Sequence, residues 1–330
     1  MLPRTWLVLG LLSISCLAHA AEPTTRPTTR RAPPPPAYLD EASAGSDFQK
    51  QGEYEGVADG SRLGAQIIAM GRGEFRGVFL AGGLPGAGWD GAQRREVNST
   101  AVNGRIRFDW TEGRWFELEE GKLVLKGGQG APAELKKVLR QSPTLGAKPP
   151  QGAIVLFDGT NTDAWVRGRM DSRNLLMVGT QTRQRFGDCT LHVEFILPFM
   201  PDARGQGRGN SGVYLQNRYE VQVLDSFGLR GADNECGGIY QNARPLVNMC
   251  FPPLSWQTFD IDFTAARFED GRKIANARIT VRHNGVVIHD NLEIRGATGG
   301  GQPEADTPGP LMLQDHGNPV FYRNIWIVPR

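Results

Sequence analysis

Between Ile154 and Val328 the apolar residues come in short runs, each cut off by Gly, Pro, Asn or Asp, and no long 3.6-residue pattern appears. Such a stretch cannot build a helical core. It predicts many short strands: Ala153 to Phe157, Leu191 to Leu197, Val213 to Leu215, Tyr219 to Leu224, Thr258 to Phe263, Ala277 to Arg282, Val286 to His289 and Phe321 to Val328. Asn284-Gly285 lies between two of them, and both central positions of a type I′ hairpin turn need positive φ, which Asn and Gly tolerate. The fold class is therefore all-β, with a β-sandwich over 152–330.

Within that region Gly205 to Asp225 carries the densest information. Alternating side chains put Tyr219, Val221 and Val223 on one face of a strand and Glu220 and Gln222 on the other, with Asp225 just beyond. An acid and an amide opposite an apolar face suggest a lined site; a solvated outer face is the plain alternative. Gly207-Arg-Gly-Asn-Ser-Gly212 matches the dinucleotide fingerprint in letters only. That motif needs a following helix to meet the phosphates, and Val213 to Leu224 reads as more strand.

The N-terminal residues read as an export signal: Arg4, the apolar core Trp6 to Leu12, and the cleavage site Ala18-His19-Ala20. The signal covers 1–20 and implies a secreted or periplasmic protein; the apolar run is too short to span a membrane, and no integral span follows. Lipidation at Cys16 is less favoured, because Ser13-Ile14-Ser15 lacks the usual leucine. Residues 21–46, Pro- and Thr-rich in their first part, read as an extended tether. A smaller, mostly-β accessory domain is expected over 47–140, with a hairpin turn at Glu120-Gly121 and room for one short helix from Ala133 to Arg140. The Gly82 to Asp90 loop in it carries no legible function, and Asn98-Ser-Thr100 matches a glycosylation sequon. Residues 141–151 are a Pro/Gly linker. A formal net charge of +2 without a basic, aromatic-interleaved cluster gives no case for nucleic acid. Past the signal, Cys236 and Cys250 are a candidate disulfide, leaving Cys189 free.

Other residues offer chemistry. His192 and Glu194 share a strand face; if that strand lies beside Tyr219 to Leu224, then Glu194, Glu220 and Gln222 line one concave surface. Paired carboxylates can act as general acid and base or as oxygen ligands. Gln314, Asp315 and His316 stand at a strand-to-loop corner, where an acid beside a histidine either tunes a base or stabilises a turn. The loop Asp233 to Tyr240 is placed to close over the same surface. His-Glu-x-x-His, Cys-x-x-Cys and nucleophile-elbow patterns are missing, so zincin, structural zinc and serine hydrolase readings lack their motifs.

Several strings then recur in order: Ile154-Val-Leu-Phe-Asp-Gly159 with Trp165, Gly207 to Gln216, Tyr219 to Phe227, Cys236-Gly-Gly-Ile-Tyr240, Leu313 to Pro319 and Arg323-Asn-Ile-Trp326. In these the second unit resembles the 3-keto-disaccharide hydrolase family. The resemblance implies a concanavalin-A-like jelly roll with a concave sheet for sugars, and a hydrolase cleaving 3-keto-glycosides. A ketone at sugar C3 acidifies the C2 proton, so a base can drive elimination of the C1 substituent, with water adding back. For this chemistry Glu220 or His316 is the expected base and Arg208 the group steadying negative charge. Glu194, Gln222, Tyr214, Asn210 and Gln314 are the expected substrate contacts. A divalent metal ion is the candidate cofactor, with carbohydrate as the substrate partner. The competing readings are a two-carboxylate glycosidase using Glu194 and Glu220, and a carbohydrate-binding module without catalysis.

Overall fold

The computed structural model describes residues 34–111, 113–130 and 132–330. The signal expected over 1–20 and residues 21–33 of the expected tether lie outside them. The rest of the tether region is tied down. Tyr38 exchanges backbone hydrogen bonds with Phe199 (2.9 and 3.0 Å), and helix α1 (Glu41–Lys50) starts on an Asp40 N-cap that accepts from Ser43 N at 2.9 Å. No helix among the described residues is long and apolar enough to cross a membrane.

Eight strands follow: β1 (Gly52–Ala58), β2 (Ser61–Gly71), β3 (Glu74–Ala81), β4 (Arg94–Thr100), β5 (Arg107–Asp109), β6 (Arg114–Glu119), β7 (Lys122–Gly127) and β8 (Ala133–Val138). They make one antiparallel sheet in the order β4-β3-β2-β1-β8-β7-β6-β5, curled round its own core of Tyr54, Ile67, Phe75, Phe79, Phe108, Phe116 and Leu135. Glu120 (φ 44°) and Gly121 (φ 77°) turn β6 into β7. The short helix expected from Ala133 is instead strand β8. Ala133 and Leu135 face inward while Glu134 and Lys136 face out, a period of two that a helix cannot satisfy.

The sandwich uses β9 (Ile154–Phe157), β10 (Trp165–Val166), β11 (Leu176–Met177), β12 (Thr180–Phe186), β13 (Cys189–Ile196), β14 (Ser211–Leu215), β15 (Tyr219–Val223) and β16 (Trp256–Thr264). A small hairpin of β17 (Arg267–Glu269) and β18 (Arg272–Ala275) follows. Then come β19 (Ala277–His283), β20 (Val286–Ile294), β21 (Gly309–Leu313) and β22 (Phe321–Pro329). One layer is the five-stranded sheet β10-β12-β21-β14-β15; the other is β11-β22-β13-β16-β19-β20 with β9 on β22. Leu191, Val193, Phe195, Phe259 and Ile261 of the second layer meet Val213, Leu215, Val221 and Val223 of the first in a single core. Asn284 (φ 51°) and Gly285 (φ 81°) form the expected hairpin between β19 and β20. Gly207 to Gly212 leads into β14, not a helix, as the rejection of a nucleotide site required. Cys189, Cys236 and Cys250 are buried free thiols, so the expected Cys236–Cys250 bond is not formed; Cys250 Sγ lies 3.5 Å from the carbonyl oxygens of Leu224 and Phe251.

Residues 35–330 pack as one compact unit, because β2 and β3 serve two cores. Ile67 and Phe79 point into the first core, whereas Ile68, Val78 and Leu80 join the core of the sandwich. Gly228 closes against Ile68, with no room there for a Cβ. Arg140 adds a fork of bonds to buried Glu53 (2.6 Å each) and one to Pro85 O (2.7 Å).

This topology corrects the expected position of Glu194. Strand β13 pairs with β16 and β22, not with β15, so Glu194 lies on the outer face of the opposite layer from Glu220. There the linker covers it: Gly146 N, Arg323 Nε (2.7 Å) and Asn324 Nδ2 (2.9 Å) donate to its carboxylate. His192 is 3.5 Å away, bonded to Asp260 (2.6 Å) and stacked on Trp326. Burial alone would raise the Glu194 pKa, but the bonds from His192, Asn324, Arg323 and Gly146 outweigh it and hold it at about 2. A folded-state value below the ordinary 4.5 gives stability that is complete above 4.5 and lost as pH falls toward 2. Glu194→Gln should therefore cost about 3 kcal/mol at pH 7, as removal of one member of a buried charge network does. In urea melts the gap to the wild type should shrink by pH 3; an equal gap at both pH values would count against the clasp.

Candidate active site

The outer face of the five-stranded sheet carries the other carboxylate. Register fixes a row across its strands: Val166 opposite Gln181, Gln181 opposite Met312, Met312 opposite Tyr214, and Tyr214 opposite Glu220. One step along, Gly212 pairs with Gln222, and Gln314 N bonds Gly212 O at 2.9 Å. Tyr214, Glu220, Gln222 and Gln314 thus share a face for the reason that pairs side chains at two-residue intervals. The edge of β15 is closed by the loop Asp233 to Tyr240, whose Gly237, Gly238 and Tyr240 bond the backbone of Gln222 and Glu220.

Glu220 is 1% exposed. Its Oε2 lies 2.8 Å from the Tyr214 hydroxyl, which also lies 2.8 Å from Gly299 O and accepts from Gln314 Nε2 at 3.2 Å. Tyrosine has one proton to give. With Glu220 protonated, the acid donates to Tyr214 and Tyr214 donates to Gly299, so the Tyr214 hydroxyl and the Gly299 carbonyl are both satisfied. With Glu220 ionised, Tyr214 turns to the carboxylate and Gly299 O loses its donor. Burial pushes the Glu220 pKa up to about 7, against the lowering bond from Tyr214. Gly212 and Gly300 make the arrangement possible: a Cβ at 212 would strike Glu220 Oε1, and one at 300 would crowd the Tyr214 hydroxyl. Thr298 Oγ1 accepts from Glu220 N at 2.9 Å and anchors the covering Gly299-Gly-Gly301 segment.

Around this carboxyl lies an excess of acceptors. Glu220 Oε1, Gln222 Oε1, Gln314 Oε1 and Asn210 Oδ1 are buried without a hydrogen-bond partner. Gln206 Oε1 takes the amide protons of Asn210 (3.0 Å) and Gln222 (3.3 Å), which fixes both amides and leaves their oxygens over. Unpaired buried acceptors are costly, so these oxygens suit a ligand that brings donors or positive charge. Sugar hydroxyls are donors of that kind. A hard divalent cation that takes carbonyl and carboxylate oxygens also fits. Zinc-type ligation does not match this donor set, and among the described residues no three His, Cys, Asp or Glu are arranged so that they could hold a metal ion.

An open groove of about 440 Å³, lined by Val166, Arg167, Gln181, Met312, Gln314 and Asp315, continues the same face toward solvent. His316 stands exposed on the loop just past Gln314, and Asp315 caps that turn by accepting from Gly317 N at 2.9 Å. The structure thus gathers Glu220, Gln222, Tyr214, Gln314 and Asn210; His316, exposed one residue past the groove-lining Asp315, is not among the residues that line the groove. It does not bring Glu194 to them. Arg208 is also not free to meet negative charge: it is buried, paired with Asp225 at 2.6 Å, and bonds Ala69 O (3.3 Å) and Pro201 O (3.5 Å). Only its Nη2 lacks a partner. Sequence reasoning missed Gln206, Thr298 and the 299–301 segment; the run of glycines was the available signal for the last.

A raised folded-state pKa works against stability as pH rises. Below 4.5 Glu220 is neutral folded or unfolded; between 4.5 and about 7 the unfolded chain ionises first, so folding loses about 3 kcal/mol by linkage. Glu220→Gln removes that loss. Its melting temperature should gain on the wild type from pH 5 to about pH 7 and level off above that, and a gap that stays constant across pH 5 to 7 would contradict the buried-carboxyl account.

Residues 152–328 match the family described as 3-keto-alpha-glucoside-1,2-lyase-like domains. A crystal structure of a provisionally designated glycosyl hydrolase from Parabacteroides distasonis is 35% identical, covering 55% of this chain and 85% of that one, with a TM-score of 0.50. Another structure from the same organism with the same designation is 17% identical over 55% of this chain and 94% of that one, with a TM-score of 0.39. No curated protein matches the chain. Since the family match spans more than half of the sequence, from the first strand of the sandwich to its last, this chain belongs to the 3-keto-alpha-glucoside-1,2-lyase-like family.

Proposed function

We propose that this protein is an exported enzyme that cleaves 3-keto-glycosides by removing the C2 proton, expelling the C1 substituent and adding water. The observation that carries the reading is Glu220: a buried carboxyl held near pH 7, one oxygen on Tyr214 and the other without a partner. A group so poised can take a proton at neutral pH and return it. The 1,2-lyase in the family's description names the same bond change, elimination across C1 and C2.

In this reading Glu220 takes the C2 proton, and the C–H electrons become a C2=C3 enolate on the ketone. The enolate collapses to a C1=C2 double bond as the C1–O bond breaks, and the leaving oxygen gains a proton. Water then adds its oxygen to C1 and a proton to C2. Exposed His316, one residue past the groove-lining Asp315, is the proton source for the leaving oxygen. Tyr214 holds the Glu220 carboxyl in place, and Gln222, Gln314 and Asn210 accept from sugar hydroxyls. A hard divalent cation, when bound, would sit on the amide oxygens of Asn210, Gln222 and Gln314 and polarise the ketone. Because Glu220 and Tyr214 are covered, substrate reaches them when the Gly299–Gly301 segment lifts; glycines there lower the cost of changing φ and ψ.

The two-carboxylate alternative loses its geometric support, since the sandwich core separates Glu194 from Glu220. The deciding measurement is turnover of a 3-keto-glucoside in D2O beside its unoxidised parent. Deuterium should appear at C2 of the product, and the parent should remain intact. Glu220→Gln should cut turnover by about 100- to 10,000-fold. His316→Ala should slow alkyl glycosides far more than nitrophenyl ones, whose leaving oxygen needs little protonation. Cleavage of the unoxidised glucoside without C2 exchange would overturn the elimination route, and sugar binding without any cleavage would leave a binding module.

A further inference from the structure

A second cleft lies where the Gly82 to Asp90 loop of the curled sheet meets the loop after β15, near residues 230 and 244–247. It holds about 310 Å³ and is lined by Trp89, Asp90, Arg94, Arg230, Arg244 and Leu246, among others. Positive charge predominates. Arg94, its side chain only 5% exposed, bonds Glu96 (3.0 Å) and Gly228 O (2.6 Å). Arg230 reaches the same Glu96 at 3.0 Å, so one carboxylate serves two guanidinia. Arg244 is exposed and has no ion pair among the described residues. Asp90 is the one acid among the lining residues, and it already accepts from Ala92 N at 2.9 Å. Burial lowers the Arg94 pKa; the bond and charge of Glu96 oppose that, and the nearby cations Arg230 and Arg76 add to it.

Apolar surface stands beside these cations. Trp89 is half-buried, its Nε1 bonded to Gln93 O at 3.1 Å, and Leu246 is 75% exposed at the rim. Guanidinia bind carboxylates through paired donors, and indole and leucine faces suit the C–H face of a sugar ring. We propose that this cleft binds an acidic carbohydrate, a uronate-bearing glycan whose carboxylate meets Arg230 and Arg244 while a sugar ring covers Trp89. The choice of a glycan over another polyanion rests on the carbohydrate reading of the Glu220 site. The cleft would hold the enzyme on acidic polysaccharide while Glu220 works on a small glycoside.

The test is calorimetric titration of the full chain with trigalacturonate, its methyl-esterified counterpart and a short polyglutamate. The wild type should bind trigalacturonate and prefer it to both others by about tenfold or more, since charge and ring are both read. Arg230→Gln with Arg244→Gln should weaken trigalacturonate binding by at least about tenfold, with turnover of a neutral 3-keto-glucoside unchanged. Absence of wild-type binding, or equal binding by the double variant, would overturn the proposal. Equal affinity for polyglutamate would overturn the sugar assignment. Loss of turnover in the double variant would overturn a separate cleft, whereas absence of turnover in the wild type bears only on the Glu220 site, so the two readings fail separately.

Discussion

Strand alternation decides what this molecule can do. Each residue of a sandwich strand goes either to the shared core or to an outer face, and a core of Leu191, Val193, Phe195, Val213, Val221 and Val223 leaves no path between the two outer faces. Two acids in one domain therefore acquire opposite characters. Glu194, on the layer covered by the linker, is surrounded by donors and held ionised. Glu220, on the layer covered by a glycine segment, has one donor and is held near neutrality. The same side chain becomes a fastening in one place and, in the proposed reaction, a proton carrier in the other, because the number of donors around it differs.

That contrast has a cost in stability, and the surroundings of Glu220 show where it is offset. Gly212 gives up a side chain so that the carboxyl can lie flat against β14, and Tyr214 ties one oxygen. The acceptors left over at Asn210, Gln222 and Gln314 are a further penalty that a ligand with donors would remove. A site that is incomplete without its ligand binds through relief of that penalty as well as through new contacts.

Much of this was legible from residues. Glu120-Gly121 and Asn284-Gly285 revealed their hairpins because few other pairs accept positive φ twice. Glu220, Gln222 and the Gln314 corner could be placed because a period of two assigns faces without ambiguity. What period cannot say is which strand lies beside which. His192 and Glu194 do share a face, as read, but β13 joins β16 and β22, a pairing set by contacts sixty or more residues apart in sequence. Arg208 was misread for a related reason: nothing local shows that Asp225 and the Ala69 carbonyl will claim its guanidinium. Short β8 looked helical in part because Glu and Lys favour helices, and tertiary pairing with β1 and β7 overrode that preference.

The claim on Arg208 also explains why the curled sheet and the sandwich form one unit. Strand β2 sends Ile68 into the sandwich core, while its Ala69 and Met70 carbonyls accept from Arg208 and Arg204. Arg208 in turn holds Asp225, which follows the strand bearing Glu220 and Gln222 by two residues. A displacement of β2 is felt first at this pair, where an unpaired buried charge would cost several kcal/mol, roughly 3–5 by analogy with other buried pairs. The curled sheet is therefore a support for the end of β15, and the precision of the Glu220 face depends on a strand that belongs, in sequence, to another domain.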